Sequence, residues 1–184
     1  MQSLPAPGLA ILPQYFSSSP LKLILYGQTL SKSMTVNIVG GAPLFTITGD
    51  LFSRSHRRTV MDASSSTKLF QVRKDGLGGR HYYAEVSENG PKLFTMEIRK
   101  KLFHRPTAAV RFTNQADSGR TEVTMEYIPA IVGDNGSFTY NGQVVAVIEK
   151  RMSLGGEYHL TIASGLDPAV VVGVTIAMID RAKD

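Results

Sequence analysis

The sequence contains no cysteine and no tryptophan. Without cysteine the chain can form neither a disulfide framework nor a thiolate metal site. Charged residues are also scarce, at 19% of the chain, whereas apolar residues make up 42%. This composition predicts a chain that buries a core rather than one that stays disordered, and 184 residues suit a single domain.

Long hydrophobic runs are absent as well. The apolar stretch at residues 166–179 spans 14 residues, whereas a membrane-spanning helix needs about 20. Residues 1–20 contain four prolines, and their apolar piece at residues 9–12 is too short for the core of a signal peptide. We therefore predict no transmembrane segment, an extended proline-rich leader over residues 1–20 that is partly ordered at best, and a cytoplasmic protein.

From residue 21 onward, short apolar or alternating runs rich in Val, Ile, Thr, Phe and Tyr are separated by turn residues. This pattern is typical of an all-β sandwich or barrel. Asn141-Gly142, for example, supplies the two positive φ angles of a type I′ hairpin. We predict twelve strands, at residues 21–26, 34–39, 43–48, 58–62, 68–73, 81–86, 92–99, 107–113, 121–127, 136–140, 143–150 and 157–162.

The final segment differs in kind from the rest. Asp167 and Pro168 are favourable N-cap and first-turn residues, and residues 169–179 are apolar on every face of a helix. A strand over residues 170–176 is the competing interpretation, because valine and isoleucine are abundant there. A helix that is apolar all round must be buried all round, and Gly173 predicts the close approach of a strand backbone. We predict one domain over residues 21–184, mainly β, in which a closed twelve-stranded antiparallel barrel surrounds a central helix at about residues 167–181.

Two stretches resemble the LURP-one-related family, whose fold is similar to the tubby C-terminal domain and the phospholipid scramblases. One comprises residues 45–50 (FTITGD), 57–62 (RRTVMD) and 68–73 (KLFQVR), and the other is residues 156–180, which include the entry GLDPA and the exit Asp180. The resemblance covers roughly residues 21–181. It implies a twelve-stranded barrel around a hydrophobic helix and no established catalytic residues. Tubby relatives bind phosphoinositides through basic side chains, and scramblases act on membranes.

Two groups of basic residues are candidates for binding phosphate. The first basic cluster is Arg54, His56, Arg57 and Arg58, beside Phe52, and the second is Arg99, Lys100, Lys101, His104 and Arg105, around Phe103. Arginine forks and lysine point charges suit phosphate groups, and the two phenylalanines could enter a membrane interface. The competing interpretation is that both clusters are solvated loop ends whose phenylalanines pack in the core. From these clusters, the candidate ligand-binding residues are Arg54, Arg57, Arg58, Arg99, Lys100, Lys101 and Arg105.

No motif in the sequence predicts catalysis or a cofactor. The four histidines have no metal-like spacing, and no nucleophile elbow or phosphate-binding glycine loop is present. The leading hypothesis is therefore a non-enzymatic binding or scaffold module with neither cofactor nor metal. Its partner would be a phosphoinositide or another anionic membrane surface, at the plasma membrane periphery, or a protein. The alternatives are a nucleic-acid-binding or transcription-associated protein, which the net charge of +5 also permits, and an enzyme with an unrecognised site.

Overall fold

The computed structural model describes residues 1, 3–27, 33–49, 57–76, 79–101, 104–130, 135–151 and 156–182, and for residues 100, 101, 104 and 105 the backbone alone. A short 3-10 helix at Pro13–Tyr15 precedes twelve strands and a C-terminal helix, α1 (Pro168–Arg181). The strands are β1 (Leu21–Gly27), β2 (Met34–Ile38), β3 (Pro43–Gly49), β4 (Arg58–Asp62), β5 (Lys68–Asp75), β6 (His81–Glu85), β7 (Lys92–Lys101), β8 (His104–Thr113), β9 (Glu122–Pro129), β10 (Gly136–Tyr140), β11 (Gln143–Arg151) and β12 (Glu157–Ile162).

The strands form one closed barrel in which each strand pairs antiparallel with its neighbours in the chain. The closing pair is β1 with β12, in register from Leu21 opposite Ile162 to Tyr26 opposite Glu157. The predicted closed barrel of twelve strands with a C-terminal helix is confirmed. The largest difference in strand bounds is at β8, which begins at His104 rather than at residue 107. The β7–β8 ladder continues past Pro106 beside a register shift between Arg99 and Lys101, and such irregularities are where a sheet accommodates proline.

Helix α1 begins where the sequence predicts it. The side chain of Asp167 accepts a hydrogen bond from the Ala169 N–H at 2.8 Å, and Pro168 occupies the first turn, where its missing N–H leaves no donor unpaired. Val171, Val172 and Val174 point in different directions around the helix, yet each is completely buried. Burial on all sides is possible because the barrel wall surrounds the helix, and inward residues of alternating strands such as β9 fill the space between them.

Residues before β1 differ from the extended leader that the sequence predicts. Leu9, Ala10 and Ile11 are almost completely buried, and Leu9 forms an isolated parallel bridge with Leu166. The N–H groups of Ile11 and Leu12 donate to Oδ2 of Asp167 at 3.0 and 2.7 Å. Proline content alone suggested little order, but a proline-rich segment can pack firmly when its remaining N–H groups find acceptors, as they do here.

Successive antiparallel strands reverse direction, so their connections alternate between the two ends of the barrel. The helix-entry end contains the segment before β1 and the residues between β12 and α1, which Leu9 and Leu166 join. The helix-exit end contains the last turn of α1 and the start of β4, which Asp180 and Arg58 join. The connections β1–β2, β3–β4, β5–β6, β7–β8, β9–β10 and β11–β12 all lie at the helix-exit end.

Candidate functional site

The described residues of both basic clusters lie at the helix-exit end of the barrel. In the first cluster these are Arg57 and Arg58, at the start of β4, where Arg58 is paired with Gly49 of β3. The second lies around the tip of the β7–β8 hairpin, where Lys101 is paired with His104. In the sequence the two clusters are about forty residues apart, and the antiparallel order of the strands brings their connections to the same end as the C-terminus of α1.

The adjacent arginines of the first cluster have separate environments. Arg58 is 5% exposed, and its guanidinium donates to both carboxylate oxygens of Asp180 inside the barrel. Arg57 is more exposed and pairs with Glu88 at 3.1 Å. Consecutive residues of extended chain point to opposite faces, so the two arginines cannot hold one ligand together. Arg54, His56 and Phe52 lie outside the described residues.

In the second cluster, Arg99 belongs to an ion-pair network on the outer wall of the barrel. Its guanidinium lies 3.9 Å from the carboxylate of Glu97 and 3.6 Å from that of Glu126, while Arg111 lies 3.5 Å from Glu97. The positive charges of the two arginines and the negative charges of the two glutamates thus nearly cancel, so this part of the wall has little net attraction for an anion.

Lys100 and Lys101 are the last residues of β7, and His104 and Arg105 are the first of β8. Their side chains lie outside the described part of the structure, as does Phe103. The backbone positions place all four residues at the helix-exit end.

A cavity of about 260 Å³ opens at the same end, between the last turns of α1 and the wall formed by β8–β12. Its walls include the rings of Tyr127 and Tyr158 and the aliphatic side chains of Ile148, Met178 and Ile179. Half-buried Arg181 and exposed Ala182 line it where it reaches the surface. Little in the sequence indicates this cavity. Its one signal was the return of polar residues at Asp180 and Arg181 after the apolar run.

The buried carboxylate of Glu85 has a structural explanation. Burial favours its neutral form, but donors from Arg73 at 3.0 Å and Gln71 at 2.7 Å outweigh burial and keep the pKa of Glu85 below its usual value. The N–H of Asn89 donates to its other oxygen. Glu85 is therefore an ionised anchor for the β6–β7 turn and not a group poised for proton transfer.

Within the described residues, His, Asp and Glu side chains do not form any group of three or more that could hold a metal ion. In the same parts of the chain, no helix combines the length and the apolar character that crossing a membrane requires.

Comparison with known proteins identifies the family. A search of the curated proteins finds no match. Among solved structures, the chain is similar to an X-ray structure of a protein from Arabidopsis thaliana, with a TM-score of 0.68 and 16% identity over 94% of this chain and 98% of that one. Because the sequence identity is low, this similarity shows that the two proteins share a fold and nothing more. The LURP-one-related family model matches residues 25–180, which is most of the chain. The chain therefore belongs to the LURP-one-related family.

Proposed function

We propose that this chain is a non-enzymatic binding module whose ligand is an anionic phospholipid headgroup, with phosphoinositides as the first candidates, bound at the helix-exit end of the barrel. Family membership and the barrel fold support a non-enzymatic module of the tubby-like type. In this proposal the protein works in the cytoplasm and reaches the plasma membrane as a peripheral protein.

The observation that supports the proposal is that the described residues of both basic clusters lie in or beside connections at one end of the barrel. A membrane is a flat anionic surface, so it binds best to charges that share one side of a protein. The opposite end is occupied by the buried segment around Leu9–Ile11, which leaves the helix-exit end as the natural side to face a membrane.

The basic residues of the two clusters do not contribute equally to this proposed site. Arg58 is buried with Asp180, and Arg99 is balanced by Glu97 and Glu126, so we leave both out. Arg57 can contribute, because its partner Glu88 is 59% exposed and such surface pairs are weak. We therefore assign the headgroup contacts to Arg54, Lys100, Lys101 and Arg105, with Arg57 as a further donor.

The test is cosedimentation with phosphatidylcholine vesicles that contain or lack a few per cent of phosphatidylinositol bisphosphate. The wild-type chain is expected to bind the charged vesicles alone and to lose affinity between low salt and physiological salt, where exposed charges are screened within about 8 Å. The variant Lys101→Glu/Arg105→Glu is expected to lose that binding while its thermal unfolding stays unchanged.

The matched control is Lys22→Glu/Lys68→Glu, which makes the same change in net charge at the helix-entry end, where both lysines are exposed. This variant should bind like the wild type. Equal loss in both variants would mean that overall charge, and not the helix-exit end, drives binding. Salt-insensitive binding, or tighter binding to duplex or single-stranded oligonucleotides than to the vesicles, would reject the headgroup as ligand.

A further inference from the structure

We infer that the helix-exit end also holds a site for a single alkyl chain attached to an anionic group, with the chain inside the cavity between α1 and the β8–β12 wall and the anionic group at Arg181. This inference adds detail to the proposed function, and it rests on the proposed function for the negative charge of the ligand. It adds a part of the ligand, the chain, that the basic clusters cannot recognise.

The walls of the cavity favour an alkyl chain over a polar ligand. Ile148, Met178 and Ile179 are aliphatic, and Tyr127 and Tyr158 are aromatic. Binding sites for small molecules are usually of this mostly apolar kind, with a few polar groups that set the orientation.

Two polar side chains that line the cavity, Thr175 and Asn135, already have hydrogen-bond partners. The hydroxyl of Thr175 donates to the Val171 carbonyl one turn earlier in the helix, at 2.7 Å. Oδ1 of Asn135 accepts from the backbone N–H of Lys150 at 2.7 Å. A ligand rich in donors and acceptors would therefore find little to bind inside, and its own polar groups would lose water without compensation.

The rim of the cavity determines which way the ligand points. Carbonyl groups at the C-terminus of α1 carry partial negative charge, which disfavours an anion deep in the cavity. Arg181, in the last turn, has no carboxylate partner among the described residues and is only half buried. Lys150 lies beside Tyr158, a residue of the cavity wall, with its Nζ 5.8 Å from the centre of the ring. The anionic group is thus expected outside, at Arg181, and the chain inside.

The volume of the cavity limits the length of the chain. A group the size of a water molecule takes up about 30 Å³ in a liquid, so 260 Å³ accommodates on the order of ten such groups. A chain of about ten carbons would fill the cavity, and any longer part would remain outside.

The test is isothermal titration of the full chain with straight-chain carboxylates of six, eight, ten and twelve carbons, each below its micelle concentration. Affinity is expected to rise about fourfold for each methylene, the factor that corresponds to burial of about 0.8 kcal/mol per CH₂, and to level off near ten carbons. Decyl phosphate is the second probe: tighter binding of decyl phosphate than of decanoate would indicate a single-chain phospholipid as the source, and tighter binding of decanoate would indicate a fatty acid. An uncharged 1-decanol should bind about tenfold more weakly.

Variants locate the site. Ala182→Trp changes an exposed residue at the cavity mouth and should abolish the dependence on chain length, as should Met178→Trp, which fills the cavity itself. Arg181→Gln should lower the affinity for decanoate to that for decanol, whereas Lys22→Gln, at the opposite end, should not. Equal affinities along the series, or normal decanoate binding by folded Ala182→Trp and Met178→Trp, would overturn the inference. Chain binding without any binding to phosphoinositide vesicles would sustain it and reject the headgroup proposal alone.

Discussion

Arg58 and Asp180 form a two-pronged ion pair inside the barrel. Nε of Arg58 donates to Oδ2 of Asp180 at 2.8 Å, and Nη2 donates to Oδ1 at 2.6 Å. Side-chain exposure is 6% for the arginine and 4% for the aspartate. The pair joins the first residue of β4 to the last turn of α1, so it fixes the C-terminal end of the helix to the barrel wall.

Replacing one partner of this pair is expected to destabilise the fold more than replacing both partners. Arg58→Met or Asp180→Leu alone should lower the free energy of unfolding by about 3–5 kcal/mol, because each leaves one buried charge without its partner. The double variant Arg58→Met/Asp180→Leu should recover most of that loss, because no charge then stays buried. Urea denaturation of the four proteins gives the coupling energy.

Arg57→Met is the control for this experiment, since Arg57 is the neighbouring residue and its partner Glu88 is largely exposed. It should cost less than about 1 kcal/mol, as surface ion pairs usually do. If Arg58→Met is no more destabilising than Arg57→Met, the buried pair does not have the structural role described above.

The sequence predicts the architecture because two patterns of apolar residues are clear in it. Alternating runs with turn residues between them predict strands, and the uninterrupted apolar run after Asp167-Pro168 predicts a helix that needs walls on every side. Pairing of β1 with β12 meets that need, and it also removes the sheet edges.

The candidate site was less predictable from the sequence. Whether Arg57 or Arg58 points inward depends on the residue at which β4 starts, and a shift by one residue would exchange their environments. The partner of Arg58 lies 122 residues away, so no local pattern reveals it. The burial of Leu9 and Ile11 likewise depends on acceptors at Asp167, which only the folded chain brings near.

Gly173 is expected to be required for the packing of α1. A β-carbon added there would lie 2.8 Å from Cε1 of Phe94 and 3.3 Å from Cε2 of Phe70. The close approach that the sequence predicts at Gly173 therefore comes from phenylalanine rings and not from a strand backbone. Gly173→Ala should gain up to about 1 kcal/mol in helix propensity but lose about 1–3 kcal/mol to overpacking, for a net loss of stability.

A double-mutant cycle with Phe94→Leu tests the cause of that loss. Phe94→Leu alone should be destabilising because it removes buried volume. When it is combined with Gly173→Ala, the total loss should be smaller than the sum of the two single losses, because the smaller side chain makes room for the new methyl group. Additive losses in thermal or urea unfolding would show that the contact with Phe94 does not limit residue 173.

Asp167 is expected to make the stability depend on pH in the opposite direction from most carboxylates. Burial raises the pKa of Asp167 to about 6, although the N–H groups of Ala169, Leu12 and Ile11 favour its ionised form and offset part of the effect. In the unfolded chain its pKa is close to 4. Because the folded state holds the proton more tightly, the contribution of Asp167 is fully present below about pH 4 and is lost as the pH rises through 6.

The comparison that isolates this contribution is wild type against Asp167→Asn. In the wild type, Oδ1 of Asp167 accepts from the Ala169 N–H and Oδ2 accepts from the N–H groups of Ile11 and Leu12. Asparagine has only one acceptor oxygen, so it can cap α1 but cannot serve all three donors, and the variant should be less stable at every pH. Its deficit should be larger at pH 4.5 than at pH 7.5 by about 2 kcal/mol, out of about 3 kcal/mol for the full titration. Asp62, Glu85 and Asp117, whose pKa values are lowered in the fold, destabilise both proteins equally in acid and cancel in the difference. A deficit that is constant from pH 4.5 to 7.5 in urea denaturation would mean that Asp167 is ionised across this range and that its three N–H donors outweigh its burial.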